Sequence, residues 1–246
     1  MKIGLKLWST NKDLFPLAID LYKEKKIDFL ELYIVPDHLE GIEVLKQMPV
    51  FLHAPHTAHG FNVFGLKAEK VELFKEQVLK TADFFDSKFI ILHPGIGGDK
   101  DIFKKNVTLI KDKRILIENM SKIGFVEKTG GVVCFGHSLE QLKFIKQLGF
   151  NFCLDFAHAA LAAHSLKRDY KEFITELIQE LNPSYFHISG MFVEKGLDAH
   201  LDLWKGDLDV KWALDLVKDG YVVLETPKKD GLSNDLKNIE YLHSLK

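Results

Sequence analysis

The residues of this chain that most clearly indicate catalysis or metal binding are carboxylates and imidazoles that follow short apolar runs. Asp155 comes directly after the apolar run 152–154, and His158 stands three residues further on. Placing a carboxylate at the end of a buried strand costs several kcal/mol unless it is paired with a cation or bound to a metal. The arrangement recurs along the chain and gives these candidate metal ligands: His56, His93, Glu118, Asp155, His158, His187, Asp198, His200 and Glu225.

The hydrophobic pattern supplies the elements that must bring these residues together. Short apolar runs alternate with amphipathic stretches, which predicts strands at 2–8, 29–35, 50–53, 88–92, 114–117, 152–154, 185–188 and 221–224. Helices are predicted at 11–25, 38–47, 67–85, 139–147, 169–181, 209–217 and 232–245, and a long glycine-rich loop at 124–136. Strands alternating with helices in this way are typical of an α/β fold, the (β/α)8 or TIM barrel. We expect one such domain over residues 1–246.

Composition and charge restrict the class of protein. The chain is 46% hydrophobic and carries a net charge of −2, and only Arg114 and Arg168 among its 33 basic residues are arginines. A global basic field for nucleic acid is therefore excluded, although a local lysine patch is not. The two cysteines have no C-x-x-C spacing and indicate a reducing compartment without a disulfide framework. We expect a cytoplasmic protein with no membrane segment, and no protein partner is implied.

In a (β/α)8 barrel the C-terminal ends of the strands converge on one mouth, where active sites lie. Histidines and carboxylates without thiolate suit Zn, Mn or Fe. Carboxylates crowded at one mouth would repel one another without cations, so we predict a metal site there. His53, inside the third predicted strand, is expected to have a structural role. Trp8 and Trp204 are expected to pack against neighbours and are candidates to line the mouth.

At this point the chain resembles the endonuclease IV family, the family 2 AP endonucleases, within the wider group of xylose isomerase-like barrels. The resemblance runs from the third predicted strand to Glu225. Its motifs stand in order as Pro55-His56, His93-Pro94-Gly95, Ile117-Glu118-Asn119, Leu154-Asp155-Phe156-Ala157-His158, His187-Ile188, Asp198-Ala199-His200 and Leu224-Glu225-Thr226.

The resemblance implies a centre of three zinc ions, with Mn²⁺ as an alternative metal. By resemblance, His56 and His93 would bind the first ion, and Glu118 would bridge it to the second. The second ion would also be bound by Asp155, His187 and Glu225, and the third by His158, Asp198 and His200.

The resemblance further implies phosphodiester hydrolysis at abasic sites in DNA, a reaction of DNA repair. Glu118 and Glu225 would be the catalytic carboxylates, with His59, Trp8 and Trp204 as substrate contacts. His59 stands three residues after His56, where the family usually has a tyrosine. The loop after the second strand is short and contains no arginine, so we expect fewer contacts to DNA than the family makes.

Two other functions are consistent with the same residues. A sugar isomerase or epimerase of the wider barrel group would need a smaller set of ligands, which here would be Glu118, Asp155, His187 and Glu225. Glu118 and Glu225 would then flank the substrate as acid and base. A metal-binding role without catalysis is the third alternative. The five additional ligands favour the hydrolase.

Overall fold

The predicted strands form a closed parallel barrel in a computed structural model of the chain, so the (β/α)8 fold is confirmed. The structure describes residues 1–126 and 130–245, and of residues 125, 126, 130, 197 and 198 it describes the backbone alone. The strands are β1 (Lys2–Trp8), β2 (Phe29–Tyr33), β3 (Val50–His53), β4 (Ile90–Leu92), β5 (Ile115–Glu118), β6 (Ile123–Val126), β7 (Gly130–Val133), β8 (Asn151–Asp155), β9 (Tyr185–Ile188), β10 (Gly190–Phe192), β11 (Leu197–Leu201) and β12 (Tyr221–Leu224). The barrel order is β1-β12-β9-β8-β5-β4-β3-β2, with every neighbouring pair parallel.

Helices cover the outside of the barrel. They are α1 (Phe15–Lys23), α2 (Ala68–Leu73), α3 (Lys80–Phe84), α4 (Lys100–Thr108), α5 (Leu139–Gln147), α6 (Phe156–Ser165), α7 (Tyr170–Leu181), α8 (Val210–Leu216) and α9 (Ser233–Ser244). A π-helical segment, Phe74–Leu79, joins α2 to α3, so the long helix predicted at 67–85 is present with an altered middle turn. The helix predicted at 38–47 is a short 3-10 helix, Ile42–Gln47.

The sequence patterns did not predict helices α4 and α6. Asp99 begins α4 by accepting hydrogen bonds from the backbone N–H groups of Asp101 and Ile102, both at 2.9 Å. Helix α6 is buried almost along its whole length and has no polar face, so it lacks the amphipathic period that predicts a surface helix. In the part of the chain that the structure describes, no helix combines the length and the apolar character needed to cross a membrane.

The apolar core has two parts. The larger part lies between the outer face of the barrel and the helices, and includes Leu5, Leu30 and Leu154. The smaller part fills the inside of the barrel at the N-terminal ends of the strands: Phe29, Phe51, Ile91, Leu116, Cys153, Tyr185 and Val223, with Phe89 and Tyr221 packed against them. Ring centroids in this group lie 5.0 to 6.1 Å apart. We call it the floor of the barrel.

Two antiparallel hairpins lie outside the barrel order. The glycine-rich loop predicted at 124–136 contains the hairpin β6–β7, in which Ile123 pairs with Val133 and Gly124 with Val132. A Cβ atom at Gly124 would lie 2.7 Å from Sγ of Cys134, so this glycine permits a close approach of the two strands. The second hairpin, β10–β11, leads to His200.

Candidate metal centre

All eight barrel strands place an ionisable side chain inside the barrel, either within the strand, as in β1 and β2, or at or just beyond its C-terminal end. These residues stand two positions after the residues of the floor, or in β1 two positions after Gly4, and side chains two positions apart in a strand share a face. They are Lys6, Glu31, His53, His93, Glu118, Asp155, His187 and Glu225. We call this set the ionisable layer, and four of its members, Lys6, His93, Glu118 and Glu225, line a cavity of about 650 Å³ at the mouth of the barrel.

Two histidines approach one oxygen of Glu118. Nε2 of His53 lies 3.2 Å, and Nε2 of His93 3.0 Å, from Oε2 of Glu118. Nδ1 of His53 lies 2.8 Å from the carbonyl oxygen of Ala54, which can only accept, so Nδ1 carries the proton. Burial, aided by the positive charge of Lys6, lowers the pKa of His53 to about 4, and the ring is neutral. Its Nε2 lone pair therefore faces a carboxylate, as expected where both are ligands of one cation.

The second oxygen of Glu118 faces a different pair of histidines. Oε1 lies 3.1 Å from Nδ1 of His158 and 3.5 Å from Nδ1 of His187. Burial opposes the charge of Glu118, but His93 and His187 outweigh it and hold the pKa of this carboxyl well below its usual range. The carboxylate is 1% exposed and has an imidazole nitrogen on both sides. It is thus placed to bridge two cations.

Both ring nitrogens of His187 contact a carboxylate. Its Nε2 lies 2.8 Å from Oε2 of Glu31, and its Nδ1 lies 2.9 Å from Oε1 of Glu225. Oε2 of Glu225 lies 3.3 Å from Nδ1 of His200, and Oε1 also pairs with the ammonium group of Lys6. Nδ1 of His187 is buried, and its contact with Glu225 does not have the alignment of a hydrogen bond. A buried imidazole nitrogen that faces carboxylates in this way fits a metal ligand.

Asp155 connects the strand end to the helix that follows it. Its Oδ1 accepts a hydrogen bond of 2.6 Å from the backbone N–H of His158, which begins α6. Asn119 holds the same strand end, because its side chain bonds the backbone N–H of Asp155 at 2.7 Å and the carbonyl oxygen at 3.0 Å. Burial, opposed by His158, raises the pKa of Asp155 to about 6. The helix start thus fixes Asp155 and His158 relative to each other.

The donor set fits zinc or manganese. Groups of three side chains with ligand atoms within 4.8 Å of one another are His53, His93 and Glu118; Glu118, Asp155 and His158; Glu31, His187 and Glu225; and Glu118, Cys153 and His187. Imidazoles with carboxylates are the ligands that these metals prefer. Burial raises the pKa of the Cys153 thiol, which leaves it protonated.

His53 and His56 differ in their contacts with the ionisable layer. His56 belongs to none of the ligand groups found among the described residues. Its Nδ1 instead accepts the backbone N–H of Ala58 at 3.2 Å, and its ring stacks on His93 with centroids 5.0 Å apart. His53 lies inside β3 and reaches Glu118. This contact makes His53, which was expected to be structural, a candidate ligand beside His93.

The predicted substrate contacts have different positions. Trp8 lines the cavity and is 45% exposed, and its ring packs against Tyr33 at 5.2 Å and His59 at 5.6 Å. Nδ1 of His59 lies 2.7 Å from the hydroxyl of Tyr33, so this histidine supports the aromatic wall. Trp204 packs on Tyr241 and is not among the described residues that line the cavity. The side chain of Asp198 lies outside the described residues.

Lys6 and Glu31 are members of the ionisable layer that sequence reasoning did not single out. Both lie inside strands, whereas the predicted ligands were sought after apolar runs. The signal was nevertheless present in β1, where Ile3, Leu5 and Leu7 are buried on one face and Gly4, Lys6 and Trp8 alternate with them. An inward lysine beside a strand with an inward glutamate, Glu31, predicts an ion pair within the barrel.

Comparison with known proteins supports the resemblance drawn from the motifs. No protein-family model matches the chain. The chain is 29% identical over 227 residues to a protein of Nitratidesulfovibrio vulgaris named "Probable endonuclease 4", with 80% of this chain and 77% of the relative covered. It is 25% identical over 206 residues to a protein of the same name from Mesomycoplasma hyopneumoniae, with 75% and 73% covered.

Solved structures agree on the fold. Endonuclease IV from Thermus thermophilus superposes with a TM-score of 0.72 at 19% identity, covering 100% of this chain and 98% of that one. A structure titled "The crystal structure of AsfvAP:AG" gives a TM-score of 0.71 at 12% identity, covering 99% and 98%. The resemblance to the endonuclease IV family that the motifs predict is therefore confirmed in sequence and in fold.

Proposed function

We propose that this chain is a metal-dependent phosphodiester hydrolase that cleaves DNA at abasic sites. The observation that carries the proposal is the position of Glu118, one carboxylate with imidazoles at both oxygens, at the mouth of a barrel. The relatives named endonuclease 4 supply the reaction class. A shared carboxylate between two ions is typical of centres that cleave phosphate esters.

We assign the ligands of three zinc ions on the geometry and the resemblance together. His53 and His93 would hold the first ion, and Glu118 would be shared between the first and the second. Asp155, His187 and Glu225 would complete the second, and His158 and His200 would hold the third together with Asp198, which is included on the resemblance alone. Mn²⁺ would fit the same oxygen and nitrogen donors. His53 replaces His56 in this assignment because its Nε2 lies 3.2 Å from Glu118.

Bound zinc would supply a water that ionises near neutral pH and positive charge for the phosphate oxygens. The chain itself contributes position and charge. Glu225 is held by Lys6, His187 and His200, so its carboxylate is fixed where it can orient that water and accept its proton. Trp8 offers an exposed ring on the cavity wall, on which a sugar or a neighbouring base can pack.

The affinity for DNA is expected to be low. The chain has a net charge of −2 and two arginines, and the loop after β2 is short. Each phosphate contact adds roughly 0.9 to the slope of log affinity against log salt on duplex DNA. A small number of contacts predicts a shallow slope and cleavage that needs a high enzyme concentration.

The test is a cleavage assay with zinc-loaded protein on matched duplexes, with and without an abasic-site analogue, across a salt series. A chelated sample serves as the control, and a panel of keto and aldo sugars tests the isomerase alternative. We expect cutting at the abasic position by the loaded protein and none by the chelated protein. Turnover of one sugar with no cleavage of any phosphodiester would overturn the proposal.

A further inference from the structure

Glu31 is a buried carboxylate with no place in the proposed ligand set. It lies in β2 with 0% of its surface exposed. Its Oε2 is 2.8 Å from Nε2 of His187 and 2.8 Å from the hydroxyl of Tyr185. A buried charge is retained only where partners stabilise it. Glu31 therefore needs a role that explains both its burial and its partners.

The contact with His187 decides which nitrogen of that ring carries a proton. A carboxylate at 2.8 Å accepts, so Nε2 of His187 donates to Glu31. With Nε2 holding its proton on Glu31, Nδ1 is the nitrogen whose lone pair would be available to a cation bound at Glu225 and Glu118, which Nδ1 faces at 2.9 Å and 3.5 Å. A carboxylate behind a ligating histidine fixes the ring and makes it a better ligand.

Glu31 is arranged to support a ligand and not to act as one. Oε2 already accepts two hydrogen bonds, from His187 and Tyr185. Oε1 faces the ammonium group of Lys6 at 3.4 Å. A metal ion on Oε1 would have to approach that ammonium group, and like charges at such a distance repel.

Lys6 offsets the negative charge that Glu31 adds to the layer. Its ammonium group pairs with Glu31 in the neighbouring strand and with Glu225 across the layer. Because Lys6 balances its charge, the additional carboxylate of Glu31 can lie in the layer without an additional metal ion.

We propose that Glu31 is a positioning residue for the metal centre, balanced by Lys6, which fixes the Nε2–H tautomer of His187 and presents Nδ1 to the ion shared with Glu225. This inference rests on the proposed function only in assuming that the centre binds zinc. It assigns a role to two residues that lie outside the ligand motifs, Lys6 and Glu31.

The test combines zinc affinity with the signal of the His187 ring. In Glu31→Gln the side chain keeps its size, loses its charge, and turns one hydrogen-bond acceptor into a donor. We expect one zinc ion to be released to a chelator about 10- to 100-fold more readily than in the wild type. In zinc-loaded protein with ¹⁵N-labelled histidine, the Nε2–H proton resonance of His187 should move upfield because its hydrogen bond is weaker.

Tyr185→Phe gives a second variant with the opposite expected shift. Among the described residues, removal of the hydroxyl leaves His187 as the remaining donor to Oε2 of Glu31, so the Nε2–H proton should move downfield while zinc is retained. A general disturbance of the barrel would not shift the Nε2–H resonance of His187 in opposite directions in the two variants. No change in this resonance in either variant, or equal zinc affinity in Glu31→Gln and the wild type, would overturn the positioning role.

Asp235→Asn is the matched control. Asp235 is also a carboxylate with 0% exposure, it pairs with Lys228 at 2.7 Å, and it has no contact with His187 among the interactions of the described residues. Its zinc affinity should equal that of the wild type, and an equal loss in both variants would contradict a specific role of Glu31. Wild-type protein that binds no zinc would contradict the proposed function itself, an outcome distinct from unchanged affinity in Glu31→Gln.

Discussion

The floor and the ionisable layer occupy adjacent levels inside one barrel and differ in almost every physical property. The floor holds aromatic and aliphatic side chains such as Phe29, Phe51 and Val223. The ionisable layer, two residues further along the strands, holds carboxylates, imidazoles and one ammonium group. Most residues of both levels are buried, while Lys6 and His93 are partly exposed to the cavity. The apolar side chains of the floor are stabilised by packing alone. The charged side chains of the layer above are stable only when they are paired or when cations are bound.

This difference explains how the fold tolerates a site in which the burial of charges is energetically unfavourable. Burial of apolar surface stabilises by about 25 cal/mol per Å², so the floor offsets the desolvation of the charges above it. Tyr185 joins the two levels, since its ring packs in the floor and its hydroxyl donates to Glu31 at 2.8 Å. We therefore expect substitutions in the layer to change metal binding and activity, and substitutions in the floor to change stability.

The largest effect is expected from Glu118→Gln. Neutralising this carboxylate, which has imidazoles at both oxygens, should weaken two ions and reduce abasic-site cleavage by roughly 1000-fold or more, since each metal supplies several kcal/mol of charge stabilisation. Zinc per chain, measured by inductively coupled plasma mass spectrometry, should fall in parallel. Glu40→Gln, with a side chain 96% exposed, is the control and should match the wild type. Full activity in Glu118→Gln would show that the carboxylate is not shared by ions.

A smaller effect separates His53 from His56. His53→Asn should lose one ion and reduce cleavage by roughly 100-fold, as expected for loss of one source of transition-state charge stabilisation. His56→Asn should keep the zinc content of the wild type, because its ring stacks on His93 without reaching Glu118. The reverse result in the metal analysis would restore His56 to the centre and exclude His53.

The smallest effect is expected in the floor. Ile91 is 0% exposed and packs in this group. Ile91→Val removes one buried methylene and should lower the free energy of unfolding by about 0.5–1.5 kcal/mol. Urea denaturation followed by circular dichroism measures this change, and zinc per chain should stay constant. Loss of zinc in this variant would mean that the two levels do not behave independently.

The barrel was predictable because its strands are short, apolar and regularly spaced, as in Ile90–Leu92 and Tyr221–Leu224. Candidate ligands that follow such runs, including Glu225, were recognised for the same reason. The buried helix α6 was missed, since a helix buried on all sides has no amphipathic period. The glycines of the hairpin β6–β7 predict a loop, because glycines are also typical of turns.

The part of the site that the sequence did not predict lies inside strands. His53, Glu31 and Lys6 belong to the ionisable layer through the two-residue period of β3, β2 and β1. His53 and His56 are only three residues apart, and the choice between them depends on where β3 ends and which way its last side chain faces. That direction follows from the floor residue Phe51, two positions earlier, once the barrel interior is known.

The most direct test of a metal-binding mouth is the amount and identity of metal in wild-type protein prepared in metal-replete medium and freed of loosely bound ions. Inductively coupled plasma mass spectrometry, with protein concentration from amino-acid analysis, gives the ratio per chain. The proposed ligand set predicts about three ions per chain, mainly zinc, as expected for histidine and carboxylate donors. A single ion per chain would contradict the shared role of Glu118 and favour the isomerase.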